Sequence, residues 1–346
     1  MEYRQLGRTE LNISLIGLGT MTWGFQNSQS DGFEQMDYAI DKGINFFDTA
    51  EMYAVPPSGT TFGTTETIIG NWFASRNKRD KVILASKITG PGLPWVRDGK
   101  NFIDNKNLHI ALEDSLKRLQ TDYIDLYQLH WPNRGSYHFG QVWDYAPDFN
   151  PLEQEENFLE VLYTLQQFIH EGKIRHVGLS NETAWGTSKW LHLAEQHNLP
   201  RMVSIQNEYS LLCRYFEPDL SEIALHEDCG LLAWSPLSRG TLSGKYLNGA
   251  RPEGSRLAIE IRPDHRDYPQ TEAAINKYVA LAKQHNLDPC QMALAFVNSR
   301  PFVSSTLIGA TNMDQLKSNI DSIEIKLSSE VLDAISMIRR EHPMPY

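Results

Sequence analysis

Eight short apolar runs, rich in β-branched residues, alternate with amphipathic stretches from one end of the chain to the other, and that alternation leaves few folds open. The runs are Leu15–Thr20, Ile44–Thr49, Val82–Lys87, Ile124–His130, His176–Ser180, Met202–Gln206, Leu231–Ser235 and Ser305–Gly309. Between them apolar residues recur every three or four positions, the period of one buried helix face. Leu108, Leu112, Leu116 and Leu119 form one such stripe. Phe158, Leu162, Leu165 and Ile169 form another, stopped by Gly172. Phe33, Met36 and Ile40 follow a start signal at Asp31 and Glu34, and Pro289 opens a helix carrying Met292, Leu294, Phe296 and Val297. A strand followed by a helix, eight times over, requires a parallel sheet, and eight such strands close a (β/α)8 TIM barrel.

No Pro/Gly-rich linker or shift in composition divides the chain, so one domain over residues 1–346 is expected. A plain barrel needs about 250 residues. The surplus falls in Val55–Thr64, Gly90–Asn105, Pro132–Asn157, Leu237–Gln270 and a tail from Ser328, where Val331, Leu332, Ile335 and Ile338 predict an extra helix. Most of these insertions follow strands, which places them at the C-terminal mouth of the barrel, where active sites of this fold lie.

Charge narrows the range of partners. Lys and Arg total 32 against 43 Asp and Glu, a formal charge of −11. Nucleic acid and anionic membranes both need a basic surface, so neither is expected as a partner, although a local basic pocket for a phosphate is compatible with this balance. Cys213, Cys229 and Cys290 have no spacing that fits a disulfide framework or a zinc site, and no metal is expected. Met1–Arg8 lacks the apolar run of a signal peptide, and no stretch is apolar for long enough to span a membrane. A cytoplasmic monomer or weak homo-oligomer is the expectation.

The polar residues that end the strands carry the chemistry. The second run continues into Asp48-Thr49-Ala50-Glu51-Met52-Tyr53, the third ends on Lys87 and the fourth on His130. Strand ends converge in a barrel, so Asp48, Tyr53, Lys87 and His130 can share one pocket. Reduction of a carbonyl needs an acid for the forming alkoxide, and a free phenol, with a pKa near 10, is a poor one at neutral pH. A lysine ammonium beside it lowers that pKa. A carboxylate keeps the lysine charged, and a neutral histidine orients the substrate oxygen. The four residue types make a complete acid assembly.

The stretch Gly43-Ile44-Asn45-Phe46-Phe47-Asp48-Thr49-Ala50-Glu51-Met52-Tyr53 resembles the strand-two signature of the aldo-keto reductase superfamily. Leu84-Ala85-Ser86-Lys87, Tyr123-Ile124-Asp125-Leu126 with His130, Gly178-Leu179-Ser180-Asn181, Gln206-Asn207-Glu208-Tyr209-Ser210, Trp234-Ser235-Pro236-Leu237 and Leu307-Ile308-Gly309-Ala310-Thr311 extend the likeness from about Tyr3 to Ile320. It is similar to the branch with potassium-channel β subunits and bacterial reductases. The resemblance implies Tyr53 as proton donor, with Asp48, Lys87 and His130 as its partners, in an NADP(H)-dependent oxidoreductase.

The same resemblance implies a cofactor site. Gly17-Leu18-Gly19 fails the dinucleotide fingerprint, because Thr22 stands where its third glycine would be. Instead Gly19, Thr20 and Asp48 lie at the nicotinamide end, Ser180, Asn181 and Gln206 bind the carboxamide, and Tyr209 stacks on the ring. Trp234, Ser235, Pro236, Leu237, Ser238, Arg239, Gly240, Thr241, Leu242, Ser243 and Gly244 fold over the pyrophosphate. Lys245 reaches a phosphate, with Arg256 as a second cation. Gly309 and Thr311 precede a helix whose N-terminus favours the 2′-phosphate of NADPH, and Gln315 and Asn319 face the adenine. The sequence departs from many relatives in placing Asn312 and Met313, not a cation, after Thr311.

Trp23, Phe25, Trp95, Tyr137, His138, Phe139, Trp143 and Tyr145 are expected to line the mouth, which suits an apolar aldehyde or ketone. Two other functions are compatible with parts of the pattern. One is an NADPH-binding redox-sensing regulatory subunit of slow turnover. The other is a barrel isomerase or lyase, for which the Asp48–Tyr53–Lys87–His130 set has no use.

Overall fold

The computed structural model describes residues 1–147, 150–259 and 266–346. Residues 148–149 and 260–265, inside the insertions expected at Pro132–Asn157 and Leu237–Gln270, lie outside the described residues. A hairpin of β1 (Tyr3–Gln5) and β2 (Asn12–Ser14) comes first. The barrel follows as β3 (Ile16–Gly19), β4 (Phe46–Asp48), β5 (Ile83–Ile88), β6 (Ile124–Leu129), β7 (Ile174–Ser180), β8 (Met202–Glu208), β9 (Gly230–Trp234) and β10 (Val303–Ile308). Each pairs in parallel with the next, and β10 pairs with β3 to close the ring. All eight expected strands are present. The fold is the (β/α)8 barrel.

The outer layer holds α1 (Gln29–Asp41), α2 (Thr64–Arg76), α3 (Asn105–Leu119), α4 (Pro151–His170), α5 (Ala184–Gln196) and α6 (Leu220–His226), then a single turn α7 (Arg256–Ile259). After it come α8 (Pro269–Gln284), α9 (Pro289–Asn298), α10 (Met313–Asp321) and α11 (Ser329–Glu341). The expected stripes face inward: Leu108, Leu112, Leu116 and Leu119 on α3, and Phe158, Leu162 and Leu165 on α4, are all buried. Gly172, at φ 71, turns the chain after α4. The tail helix forms as α11, capped by Ser328, with Val331, Ile335 and Ile338 buried. Helix α1 starts differently from expectation: Ser28 is its N-cap, and Asp31 is the N3 partner of the capping box. Helix α8, which begins where the expected Leu237–Gln270 insertion ends, packs on α9 and α11.

Alternation along the barrel strands places two layers of side chains inside the ring. Phe46, Ala85, Leu126, Val203, Leu232 and Leu307 form an apolar lower layer, plugged from below by Leu6, Leu11 and Ile13 from the hairpin region. Arg4 fastens that hairpin by donating to the carbonyls of Asn298 and Arg300 at 3.0 Å each. Two residues further along the same strands, the inward positions are Asp48, Lys87, Gln128 and Trp234. The interior therefore changes from apolar to polar within one strand repeat, on the side where the long loops lie.

Candidate active site

Lys87 is the centre of the upper layer. It is fully buried, and its ammonium donates to Asp48 Oδ2 at 2.7 Å, to the Thr49 carbonyl at 2.8 Å and to Tyr53 Oη at 3.4 Å. An ammonium has three donors, and all three are committed. Asp48 Oδ1 in turn accepts from Gln206 Nε2 at 2.8 Å and Gln128 Nε2 at 3.2 Å, so neither carboxylate oxygen is left bare in the interior. Thr20 Oγ1 holds the Asp48 carbonyl at 2.8 Å. His130 lies across from the phenol, its ring edge-on to Tyr53 with centroids 5.8 Å apart. The structure thus brings the four separated strand-end residues together.

Burial and charge set the protonation states. Desolvation pulls the Lys87 ammonium down, but the Asp48 charge and the Tyr53 oxygen outweigh it, and its pKa ends above the ordinary value. Burial, aided by the Lys87 charge, holds His130 well below the usual imidazole range, so the ring is neutral at physiological pH. Tyr53 departs from expectation. It keeps part of its surface open, yet desolvation is the largest influence and raises its phenol above the ordinary value. Lys87 pulls the other way, as anticipated, without winning against burial and the Asp48 charge. In the protein without cofactor the phenol therefore stays protonated. Because Lys87 donates to Tyr53 Oη, the phenolic hydrogen is free to point elsewhere.

The expected cofactor residues divide into three groups. Ser180 and Asn181 sit together at the end of β7, where Ser180 Oγ donates to the Gln206 carbonyl at 2.9 Å and Asn181 Nδ2 to the His130 carbonyl at 2.8 Å. Trp234, half-buried at the end of β9, donates from its indole to Asn181 Oδ1 at 3.2 Å. The chain after it makes a tight turn through Ser235 at φ 52, Ser238 at φ 47, Arg239 at φ 57, Gly240 at φ 87 and Gly244 at φ 79. A Cβ added at Gly240 would lie 3.4 Å from Lys245 Nζ, so that side chain folds across the turn. Ser238 Oγ is buried there without a hydrogen-bond partner. On the adenine-side turn Gln315 Oε1 accepts from the Thr311 amide at 3.0 Å, and Asn319 donates to the Gly309 carbonyl at 3.2 Å. Gly19 remains half-buried beside the Ile308 carbonyl. Arg256 reaches Met21 Sδ at 3.7 Å, and its charge is felt at Tyr53.

Two expectations fail on burial. Tyr209 cannot stack on a cofactor ring, because its side chain is fully buried against Phe296 and Phe302 and donates to Glu217 at 2.6 Å. It lies beyond the end of β8, outside the ring. The aromatic open to the mouth is Trp234, which the sequence reading placed only in the pyrophosphate loop. Trp23 is likewise core, fully buried with its indole donating to Gln35 Oε1 at 3.1 Å. The aromatic wall is instead Trp131, Phe139 and Trp234: Phe139 stacks on Trp234 at 6.0 Å and meets Trp131 edge-on at 6.2 Å. Phe25 and Trp95 are exposed, and His138 is buried, tied to the Glu182 carbonyl at 3.1 Å. Gln128 was missed, although it stands two residues beyond inward-facing Leu126 and one before Leu129, where alternation alone could have found it.

A closed parallel barrel with a Tyr–Lys–Asp–His cluster at its C-terminal mouth defines a class of barrel oxidoreductase. The model of the aldo/keto reductase family matches residues 15–340. The chain belongs to that family. It is 49% identical to "Protein tas" of Escherichia coli K12 over 348 aligned residues, covering 100% of this chain and 99% of that protein. It is 34% identical to "Uncharacterized oxidoreductase YrpG" of Bacillus subtilis, over 98% of this chain and 96% of that one. It is 30% identical to "Putative voltage-gated potassium channel subunit beta" of Schizosaccharomyces pombe, over 99% of this chain and 94% of that one. No helix among the described residues is long and apolar enough to cross a membrane.

Proposed function

We propose that this chain, acting as one domain over residues 1–346, reduces aldehydes or ketones to alcohols with NADPH, using Tyr53 as the proton donor. The single observation that carries the reading is the three-way commitment of Lys87 to Asp48, Thr49 and Tyr53, which leaves the phenolic hydrogen free to be given away.

The donor set fits a nicotinamide dinucleotide. Trp234 offers a half-exposed ring beside Asn181 and Ser180, whose amide and hydroxyl suit a carboxamide. The left-handed turn from Ser235 to Gly244, with the unpartnered Ser238 hydroxyl and Lys245 folded across Gly240, suits a pyrophosphate, since successive backbone N–H groups in such turns form an anion-binding concavity. The N-terminus of α10 after Gly309 and Thr311, with Gln315 and Asn319 on its first turns, suits the 2′-phosphate and adenine. When bound, the cofactor supplies the hydride.

The chain's own residues do the rest. Trp131 and Phe139 exclude water from the mouth and offer flat apolar surfaces to the substrate, which favours aromatic over phosphorylated carbonyls. Neutral His130 donates a hydrogen bond to the carbonyl oxygen and directs it at Tyr53. Tyr53 gives its proton to the developing alkoxide, and Lys87 stabilises the phenolate left behind, the more strongly because the site is dry. Asp48 keeps Lys87 charged and in line.

Turnover of NADPH, followed by absorbance against a panel of aldehydes and quinones, tests the reading. Turnover on the order of 1 s⁻¹ or faster is expected with the best aromatic aldehyde. Tyr53→Phe is expected to lower kcat by about 10²–10⁴-fold with NADPH affinity unchanged. Comparable turnover by the variant, or sub-per-minute turnover with every substrate, overturns it.

A further inference from the structure

Tyr53 belongs to no strand or helix. Its position depends on how the segment from residue 49 to residue 63 is fastened to the barrel, and the fastenings converge on Glu51. The Glu51 N–H donates to the Lys87 carbonyl at 3.2 Å, and the Glu51 carbonyl accepts from the Gly63 N–H at 2.9 Å. The Glu51 side chain, 1% exposed, accepts from the Thr89 N–H at 2.7 Å and from Arg97 Nη1 and Nη2 at 2.8 and 3.0 Å. Three pieces of chain meet at this carboxylate: the Tyr53 loop, the strand end just past Lys87, and the mouth loop between β5 and α3.

The mouth loop adopts strained backbone to deliver that arginine. Arg97 sits at φ 47 and Asp98 at φ 54, in the left-handed region that disfavours residues with a Cβ. Such conformations persist where surrounding contacts over-determine them. Further along the loop, Asn101 donates to the Gly90 carbonyl at 2.9 Å, and Trp95 lies against Gly59 of the Tyr53 loop. Stability alone gives little reason for the ion pair, since apolar side chains of similar volume fill a buried site as well or better. A two-pronged arginine–carboxylate pair supplies direction.

Direction matters at this point because Lys87 cannot follow a phenol that moves. Two of its donors are held by Asp48 and the Thr49 carbonyl, so the 3.4 Å separation from Tyr53 Oη is set by where the loop lies. We propose that Glu51 is a positioning residue for the reduction, with Arg97 as its partner, and that the pair holds the Tyr53 loop at the distance from Lys87 that proton transfer requires. The proposal rests on the reading of Tyr53 as the acid.

The double variant Glu51→Gln, Arg97→Met tests it in the full chain. It keeps shape and volume and leaves no lone buried charge. Three results are expected with 4-nitrobenzaldehyde as substrate. In the unliganded protein, deuterium uptake in residues 49–63 is faster than in the parent. The value of kcat falls by on the order of tenfold or more, as a displaced reacting group implies, while KM for NADPH is unchanged. The alkaline limb of kcat moves to higher pH, because a phenol farther from the ammonium loses the charge that eases its ionisation. Arg97→Lys, which keeps the charge and loses the fork, shifts each readout the same way by less and carries the test if the double variant does not fold. An unmoved alkaline limb or unchanged uptake in 49–63 overturns the proposal, whatever happens to kcat. Tyr53→Phe in the same assay separates the two possible failures. Full turnover by that variant removes the acid assignment itself, whereas its inactivity beside an unaffected double variant removes only the positioning role.

Discussion

Phe46 and Asp48 on β4, Ala85 and Lys87 on β5, Leu126 and Gln128 on β6, and Leu232 and Trp234 on β9 stand two positions apart on their strands. The first member of each pair belongs to the apolar layer that fills the barrel above the hairpin plug. The second belongs to the layer that faces the mouth. Strand geometry gives both layers the same inward direction and nearly the same rigidity, but their physical demands are opposite. The lower layer stabilises the fold by excluding water from well-packed side chains. The upper layer buries an ammonium, a carboxylate and two amides, groups that are costly to desolvate and tolerable only because each is hydrogen-bonded. One pair of layers therefore separates what holds this protein together from what it can do.

The largest effect should come from neutralising the upper layer. Asp48→Asn with Lys87→Met is expected to lower kcat by about 10²–10⁴-fold while leaving stability in urea within about 1 kcal/mol of the parent or above it. A loss of stability beyond about 3 kcal/mol, the scale of breaking a buried pair, would show that the upper layer also carries the fold. Phe46→Ala reverses the pattern: a destabilisation of about 3–5 kcal/mol, with kcat of the folded protein changed only a few-fold. Equal losses of activity and stability in that variant would erase the distinction between the layers.

Smaller effects sharpen the comparison at the mouth. Lys245→Ala should weaken NADPH binding by roughly ten- to a hundredfold, the scale of a charge-assisted contact of about 1.5–3 kcal/mol, and NADH binding by less. Fluorescence titration measures both. The pH response should be smallest of all. With His130 held well below the imidazole range, kcat should vary by less than about twofold between roughly pH 6.5 and 8. The alkaline fall belongs to the Tyr53 phenol, which must be protonated to act, and its raised pKa puts that fall above the ordinary phenol range. For stability the loss lies on the opposite side, at acid pH. The buried neutral His130 contributes fully above the unfolded imidazole pKa of about 6.5, and its contribution is lost as pH falls toward the depressed folded value. Urea unfolding at a series of pH values below about 6.5 checks this.

Much of the fold could be read from the chain itself because period and turn chemistry are local. Each of the eight strands begins and ends within two residues of its expected bounds, and the α3, α4, α9 and α11 stripes face the core. The hairpin floor was not legible, since three-residue strands such as Tyr3–Gln5 carry no measurable alternation. Tyr209 shows the limit of reading by proximity. It follows Gln206 closely in sequence, but β8 ends at Glu208 and the next side chain turns into the helix layer. Trp23 fails for the same reason, an aromatic near the mouth in sequence that packs beneath it.

The sequence by itself determined the parallel barrel, the strand-end positions of Asp48, Lys87 and His130, and the family, because each depends on residue type at fixed local spacing. Tertiary structure alone decided the rest. That Trp234 and not Tyr209 faces the mouth depends on which side of the ring each strand end leaves open. That desolvation outweighs Lys87 at the Tyr53 phenol depends on the walls around it. That Glu51 finds Arg97, 46 residues away, depends on a loop folding back over the mouth. Burial, and contact between distant segments, are sums over the whole packed molecule, and no local window of the chain contains them.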